Sequence, residues 1–124
     1  MATKNVILTD PADLNITFYR GNSVDLYDIP LTWEDGSSID LSIYTSGIMS
    51  VKKKSKDTTD ILTFSTSDSS LIIGSSKITL DKDASDMLVD ARDYVYDIRL
   101  YDASDNAKTF VKGIVTVEQN VSYP

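Results

Sequence analysis

The stretch Tyr94-Val95-Tyr96-Asp97-Ile98-Arg99-Leu100-Tyr101 decides the fold. Tyr96, Ile98 and Leu100 fall on every second position, with Asp97 and Arg99 between them. Successive side chains of an extended chain point to opposite faces, so this spacing gives a strand with one apolar and one charged face. The run Asp102-Ala103-Ser104-Asp105-Asn106 supplies residues that tolerate tight backbone angles, and it predicts a turn. Beyond it, Thr109 to Glu118 alternates again: Val111, Gly113, Val115 and Val117 share a face, and Gly113 marks a close approach or a bulge.

The same period of two recurs upstream in short segments bounded by Gly, Ser, Asp or Asn. Leu14, Ile16 and Phe18 alternate with polar residues as far as Arg20, and Gly21-Asn22 ends the segment. From Ser23 to Trp33 the pattern sets Val24 and Leu26 on one face, then Leu31 and Trp33, while Pro30 points to a bulge, an edge or a switch between sheets. Glu34 to Ser38 reads as an Asp-Gly turn, followed by a short extended piece, Ile39-Asp40-Leu41. Gly47 to Lys54 and Ile61 to Thr66 read as strands, and Leu71–Ile73 with Lys77–Leu80 as a hairpin around Gly74-Ser75-Ser76. One short helix is expected from Ala84 to Val89, with Asp83 as its cap and Met87 and Leu88 as its apolar side. About eight short strands at roughly 8–12-residue spacing indicate an all-β, antiparallel sandwich or small barrel. The chain is expected to be one domain over 1–124, with polar arms at Met1–Asp13 and Gln119–Pro124 that order on assembly.

Composition removes several functional classes. There is no cysteine, hence no disulfide, thiolate nucleophile or cysteine-ligated metal. There is no histidine, so the usual near-neutral proton shuttle is missing and a non-enzymatic role is expected. With 12 basic against 19 acidic residues the net charge is −7, which opposes nucleic acid and anionic lipid. The amino terminus reads as no signal peptide, and no run approaches the roughly 18 apolar residues of a membrane span.

Few groups of residues invite a chemical reading. Asp81, Asp83, Asp86 and Asp90 are numerous enough for calcium, yet they lack the glycine and the distal glutamate of a helix–loop–helix calcium loop. Helix capping and a solvated face account for them. Asp102 and Asp105 sit where a hairpin turn wants them. Lys52-Lys53-Lys54-Ser55-Lys56 is the one concentrated positive run; a charged hairpin tip offset by Asp57 and Asp60 explains it better than a nucleic-acid contact, because no aromatic residues interleave to stack bases. Asp97 and Arg99 share a face and suit pairing with neighbouring strands. Trp33 and the tyrosines could form a sugar- or peptide-binding platform, though a lone tryptophan in a β-domain is more often core. No catalytic, cofactor-binding or metal-binding residue is assigned, and no cofactor is expected.

The order of landmarks resembles a set of small tailed-phage proteins. It comprises Phe18-Tyr19-Arg20-Gly21, then Trp33-Glu34-Asp35-Gly36-Ser37-Ser38-Ile39-Asp40-Leu41, then Tyr96-Asp97-Ile98-Arg99-Leu100, and finally Gly113-Ile114-Val115-Thr116-Val117. This arrangement, spanning about Leu14 to Val117, is similar to the amino-terminal domain of phage baseplate upper proteins. The resemblance implies an immunoglobulin-like β-sandwich that attaches a receptor-binding or fibre component to the particle. Longer members continue into a fibre or stalk, whereas this sequence stops at Pro124. The expectation is a virion structural or adaptor protein of the tail, baseplate or connector region, made in the host cytoplasm. Its partners would be tail, baseplate, portal or capsid subunits, with homo-oligomers in the assembled particle and neither nucleic acid nor membrane. A capsid decoration or head-fibre anchor is the alternative, and a carbohydrate-binding module using Trp33 the alternative of another class.

Overall fold

The computed structural model describes residues 4–5, 12–32, 37 and 39–119. Their regular structure is ten strands and one 3-10 turn, with no longer helix. The strands are β1 (Lys4–Asn5), β2 (Ala12–Asp13), β3 (Ile16–Tyr19), β4 (Val24–Thr32), β5 (Tyr44–Lys52), β6 (Leu62–Ser65), β7 (Leu71–Ile73), β8 (Lys77–Lys82), β9 (Arg92–Asp102) and β10 (Ala107–Glu118). They form two sheets. One has the order β1-β4-β8-β7, and the other β2-β10-β9-β5-β6 with β3 also on β10.

The inward faces of both sheets supply a single hydrophobic cluster. Ile29, Leu31, Ile78 and Leu80 come from the first sheet; Met49, Phe64, Ile98 and Leu100 come from the second, and all are 2% exposed or less. Each such side chain contributes about 1.5–3 kcal/mol by leaving water. Phe18 of β3 links the layers, its ring 5.9 Å from Phe64 and edge-on to Tyr27 of β4 at 6.3 Å.

Pairing is antiparallel for β4–β8, β7–β8, β5–β6, β5–β9 and β9–β10, as the alternation predicts. The amino-terminal strands depart from that expectation. β1 runs parallel to β4, and β2 and β3 run parallel to β10. Parallel neighbours need a long connection rather than a tight turn. Here that connection is most of the chain, because β2 and β3 hold one register against β10, with Ala12 opposite Val111 and Ile16 opposite Val115.

Four local expectations are corrected. First, Leu26 does not share the buried face of Val24: the β4–β8 register shifts between Val24 and Tyr27, Leu26 adopts φ 49°, and its side chain is 62% exposed. A bulge inserts an extra residue and re-aims the side chain. Second, the short extended piece Ile39-Asp40-Leu41 joins no ladder: its Ile39 and Leu41 side chains are buried, and their amides bond Leu31 O (3.3 Å) and Ser75 O (2.9 Å) singly. The chain turns just after it, where the Asp40 carboxylate accepts the Ser42 amide (2.9 Å) and the Tyr44 amide bonds Leu41 O (3.1 Å). Third, the expected helix is only a 3-10 turn, Ala84–Met87; Asp83 makes no side-chain cap, Met87 is buried, and Leu88 is 45% exposed. Fourth, the strand expected from Leu14 is split, since Leu14 and Asn15 lie between β2 and β3.

Two contacts fix the ends of the central strands. The Tyr94 hydroxyl, at the start of β9, donates to the Asp90 carbonyl (2.6 Å) and anchors the connection arriving from β8. The Tyr96 hydroxyl donates to the Leu14 carbonyl (2.5 Å), directly over Gly113. A Cβ on Gly113 would overlap that carbonyl, so the close approach expected at this glycine is what requires it.

Candidate functional site

The outer face of the second sheet has no layer upon it among the described residues, and it is hollowed into a groove of about 790 Å³. Strand register builds it row by row. Ile48, Arg99 and Thr109 stand side by side on β5, β9 and β10; below them come Ser50, Asp97 and Lys112, then Lys52, Val95 and Ile114. Side chains directly opposite across a ladder share a face, so each row crosses the groove floor. The small Ser50 lies between larger neighbours and deepens the centre. Three aliphatic side chains, Ile48, Val95 and Ile114, line a surface that a simple alternating pattern would make wholly polar, and Ile114 is 41% exposed.

Charge runs through this floor. Lys112 pairs with Asp13 of β2 at 2.7 Å, and Lys52 approaches Asp60 at 3.9 Å. The Lys112–Asp13 pair is largely in water, where an ion pair contributes about 0–1 kcal/mol, whereas the Lys52 and Asp60 side chains are 30% and 28% exposed. Arg99 is exposed and forms no ion pair among the described residues. Asn15 closes the far rim, its side-chain oxygen accepting the Ile114 amide at 3.1 Å. Ser55, in the loop after β5, closes the opposite end. Burial drives the Tyr96 phenol beneath the groove far above its ordinary value of 10.0, with Tyr27 and Asp13 adding to the effect, so it stays protonated as a donor. The arrangement can hold a polypeptide segment carrying both aliphatic and charged groups.

The residues singled out in the sequence are dispersed. Asp97 and Arg99 do share the outer face, in the middle of the groove. The lysine run forms a loop whose turn is closed by mutual bonds between Lys54 and Asp57. Asp81 lies at the end of β8, while Asp83, Asp86 and Asp90 follow on the connection to β9. The Asp102 carboxylate accepts the amides of Ser104 (2.9 Å) and Asn106 (3.0 Å), and Asp105 takes φ 63°, as a hairpin turn needs. No group of three or more acidic residues could hold a metal ion among the described residues. No helix among them is long and apolar enough to cross a membrane. Trp33, the Glu34–Gly36 turn and Tyr123 lie outside the described residues, as do most of both expected arms. Of the amino-terminal arm, Lys4–Asn5 and Ala12–Asp13 are the paired strands β1 and β2.

Sequence reasoning missed the groove itself. The signal was present in Ile48, Val95 and Ile114, each one position out of phase with the inward set on its own strand. Reading it required knowing that β5, β9 and β10 are neighbours.

No protein-family model matches this chain, and no curated protein matches it.

Proposed function

We propose that this chain is a non-enzymatic structural module of a phage particle, an immunoglobulin-like sandwich that docks other virion proteins in the tail, baseplate or connector region. One observation carries the docking role: the groove on the outer sheet face, where three aliphatic side chains on three adjacent strands lie among charged ones. Interfaces combine apolar contacts with polar and charged ones.

Two features support the immunoglobulin-like reading. Sheets of order β1-β4-β8-β7 and β3-β10-β9-β5-β6 match the two-sheet strand order of a variable-type domain when β4 to β10 are taken as its strands B to G. The Tyr94–Asp90 bond has the form of the tyrosine corner, in which a tyrosine near the start of strand F bonds back to the backbone a few residues upstream. The parallel β1–β4 pair is this chain's own variation. The particle address rests on the motif resemblance from Leu14 to Val117.

The test is co-purification with particles. Antibody against the chain should label purified virions at the tail or baseplate, and the isolated protein should bind a virion protein through the groove. A chain absent from purified particles ends the proposal, and labelling confined to the capsid replaces the adaptor role with that of a decoration or head-fibre anchor.

A further inference from the structure

The charges of this chain are segregated. Six basic residues lie in the groove or on its lysine loop: Lys52, Lys53, Lys54, Lys56, Arg99 and Lys112. The acidic residues of the same surface are Asp13, Asp57, Asp60 and Asp97, so it carries six positive charges against four negative, a net +2. The rest of the chain then holds six positive against fifteen negative, a net −9, which together make the −7 of the whole.

The β8–β9 connection gives that acidic remainder a shape. Asp83, Asp86 and Asp90 are exposed and form no ion pair among the described residues. Leu88 lies between Asp86 and Asp90 and is 45% exposed, although its neighbour Met87 is fully buried. The connection is pinned on both sides of Leu88: Met87 O accepts the Gly21 amide (3.1 Å), and Asp90 O accepts the Tyr94 hydroxyl (2.6 Å). It therefore presents a leucine flanked by carboxylates on a fixed scaffold. The groove presents the complement: Val95 and Ile114 stand side by side in the row that Lys52 begins, with Lys112 and Arg99 in the rows beyond.

We propose that the groove takes a second copy of this chain, with Leu88 of one copy against Val95 and Ile114, which stand side by side on β9 and β10 of the next. Asp86 and Asp90 then face the cations of this row and the rows beyond it, Lys52, Lys112 and Arg99. The inference rests on the groove being a docking site and names its occupant. The contact is heterologous, because turn and groove are different surfaces of one molecule, so repetition gives a ring or a row of subunits. A single turn buries less than a standard interface, which makes the association weak and reversible. Its exposed ion pairs are screened by salt.

Sedimentation velocity across a concentration series tests this, with circular dichroism confirming that each variant folds. The wild-type chain self-associates at low salt, and the apparent Kd rises about tenfold or more at half-molar salt, equivalent to about 1.4 kcal/mol. Leu88→Asp disables the turn and leaves the groove intact, while Arg99→Glu does the reverse. Each variant alone is monomeric. Mixed in equal amounts they form a dimer and nothing larger, because one sound turn meets one sound groove and no further contact is possible. Asp86→Lys serves as a second turn variant with the same expectation. A wild-type monomer at every concentration overturns the proposal, as does a mixture that fails to dimerise or association that ignores both substitutions. A monomeric chain that still binds virions would overturn self-docking alone and leave the adaptor function standing.

Discussion

Replacing Gly113 by alanine should destabilise this protein more than a single methyl group ordinarily does. The new Cβ would overlap the Leu14 carbonyl oxygen and lie 2.9 Å from the carbonyl carbon and 3.2 Å from the Asn15 side-chain oxygen. The first two are backbone atoms, with no flexible tip to swing aside, so the β2–β3 junction must move bodily. Overpacking of this kind costs about 1–3 kcal/mol. The junction also makes three bonds at this point: Tyr96 hydroxyl to Leu14 O (2.5 Å), Leu14 amide to Lys112 O (2.9 Å) and Ile114 amide to Asn15 Oδ1 (3.1 Å). Displacing Leu14 strands the hydroxyl of Tyr96, a residue only 5% exposed, which adds about 1–3 kcal/mol. The total is about 2–6 kcal/mol, a large share of the roughly 5–15 kcal/mol that holds a domain together. Urea unfolding followed by circular dichroism reads it directly, and a double-mutant cycle tests the cause. Tyr96→Phe alone should cost about 1 kcal/mol. On the Gly113→Ala background it should cost much less, because the acceptor has already gone. A loss below about 0.5 kcal/mol for Gly113→Ala, or strict additivity of the two substitutions, would refute the reasoning.

Three further outcomes are expected. Gly47→Ala meets the tip of Leu100 at 2.5 Å and the Arg99 carbonyl at 3.3 Å; a flexible side chain gives way more easily than backbone, so its cost in the same urea assay should be about 1–2 kcal/mol, below that of Gly113→Ala. Tyr94→Phe removes the bond to Asp90 O and should lower stability by about 1 kcal/mol, with faster hydrogen exchange at the start of β9. Acid should weaken the fold. Thr79 (2.7 Å) and then Lys77 (3.2 Å) hold Asp28 below its ordinary 3.8, Ser70 holds Asp68 down, and the Asn106 and Ser104 amides hold Asp102 down. A carboxyl group depressed in the fold contributes its stability in full above its unfolded value and loses it as pH falls through the folded one. Stability should therefore be level from about pH 5 to 8 and decline below about pH 4, more shallowly in Asp28→Asn.

Much of the inner face was legible because alternation is a local signal. Tyr96, Ile98 and Leu100 could be assigned inward from their own strand, and Val115 and Val117 from theirs. Most of the failures share a physical cause, in that they depended on a partner distant in sequence. Leu26 leaves its face because β8 pairs with β4 out of step around it, and nothing within Val24 to Thr32 records β8. Ile39 and Leu41 alternate like a strand, yet their amides bond two separate distant acceptors, Leu31 O and Ser75 O, instead of one continuous neighbour. Met87 and Leu88 look equally apolar, and only the tight 3-10 turn decides that one is buried and the other presented. The groove was the least legible feature, because its floor draws on three strands whose adjacency no single segment encodes.

The parallel pairing of β3 with β10 bears on how the molecule would carry a load. Ile16 faces Val115 and Tyr19 faces Glu118, so the two strands run in the same direction, and the chain enters β3 at one end of the pair and leaves β10 at the other. Tension applied through the two chain ends would draw these strands past each other along their length. The hydrogen bonds between them would then be strained together in shear, rather than peeled one at a time as at the open end of a hairpin. Failure under force follows the unfolding rate rather than the equilibrium stability. A module strung between two parts of a larger machine by its ends would thus grip hardest in the direction in which it is pulled.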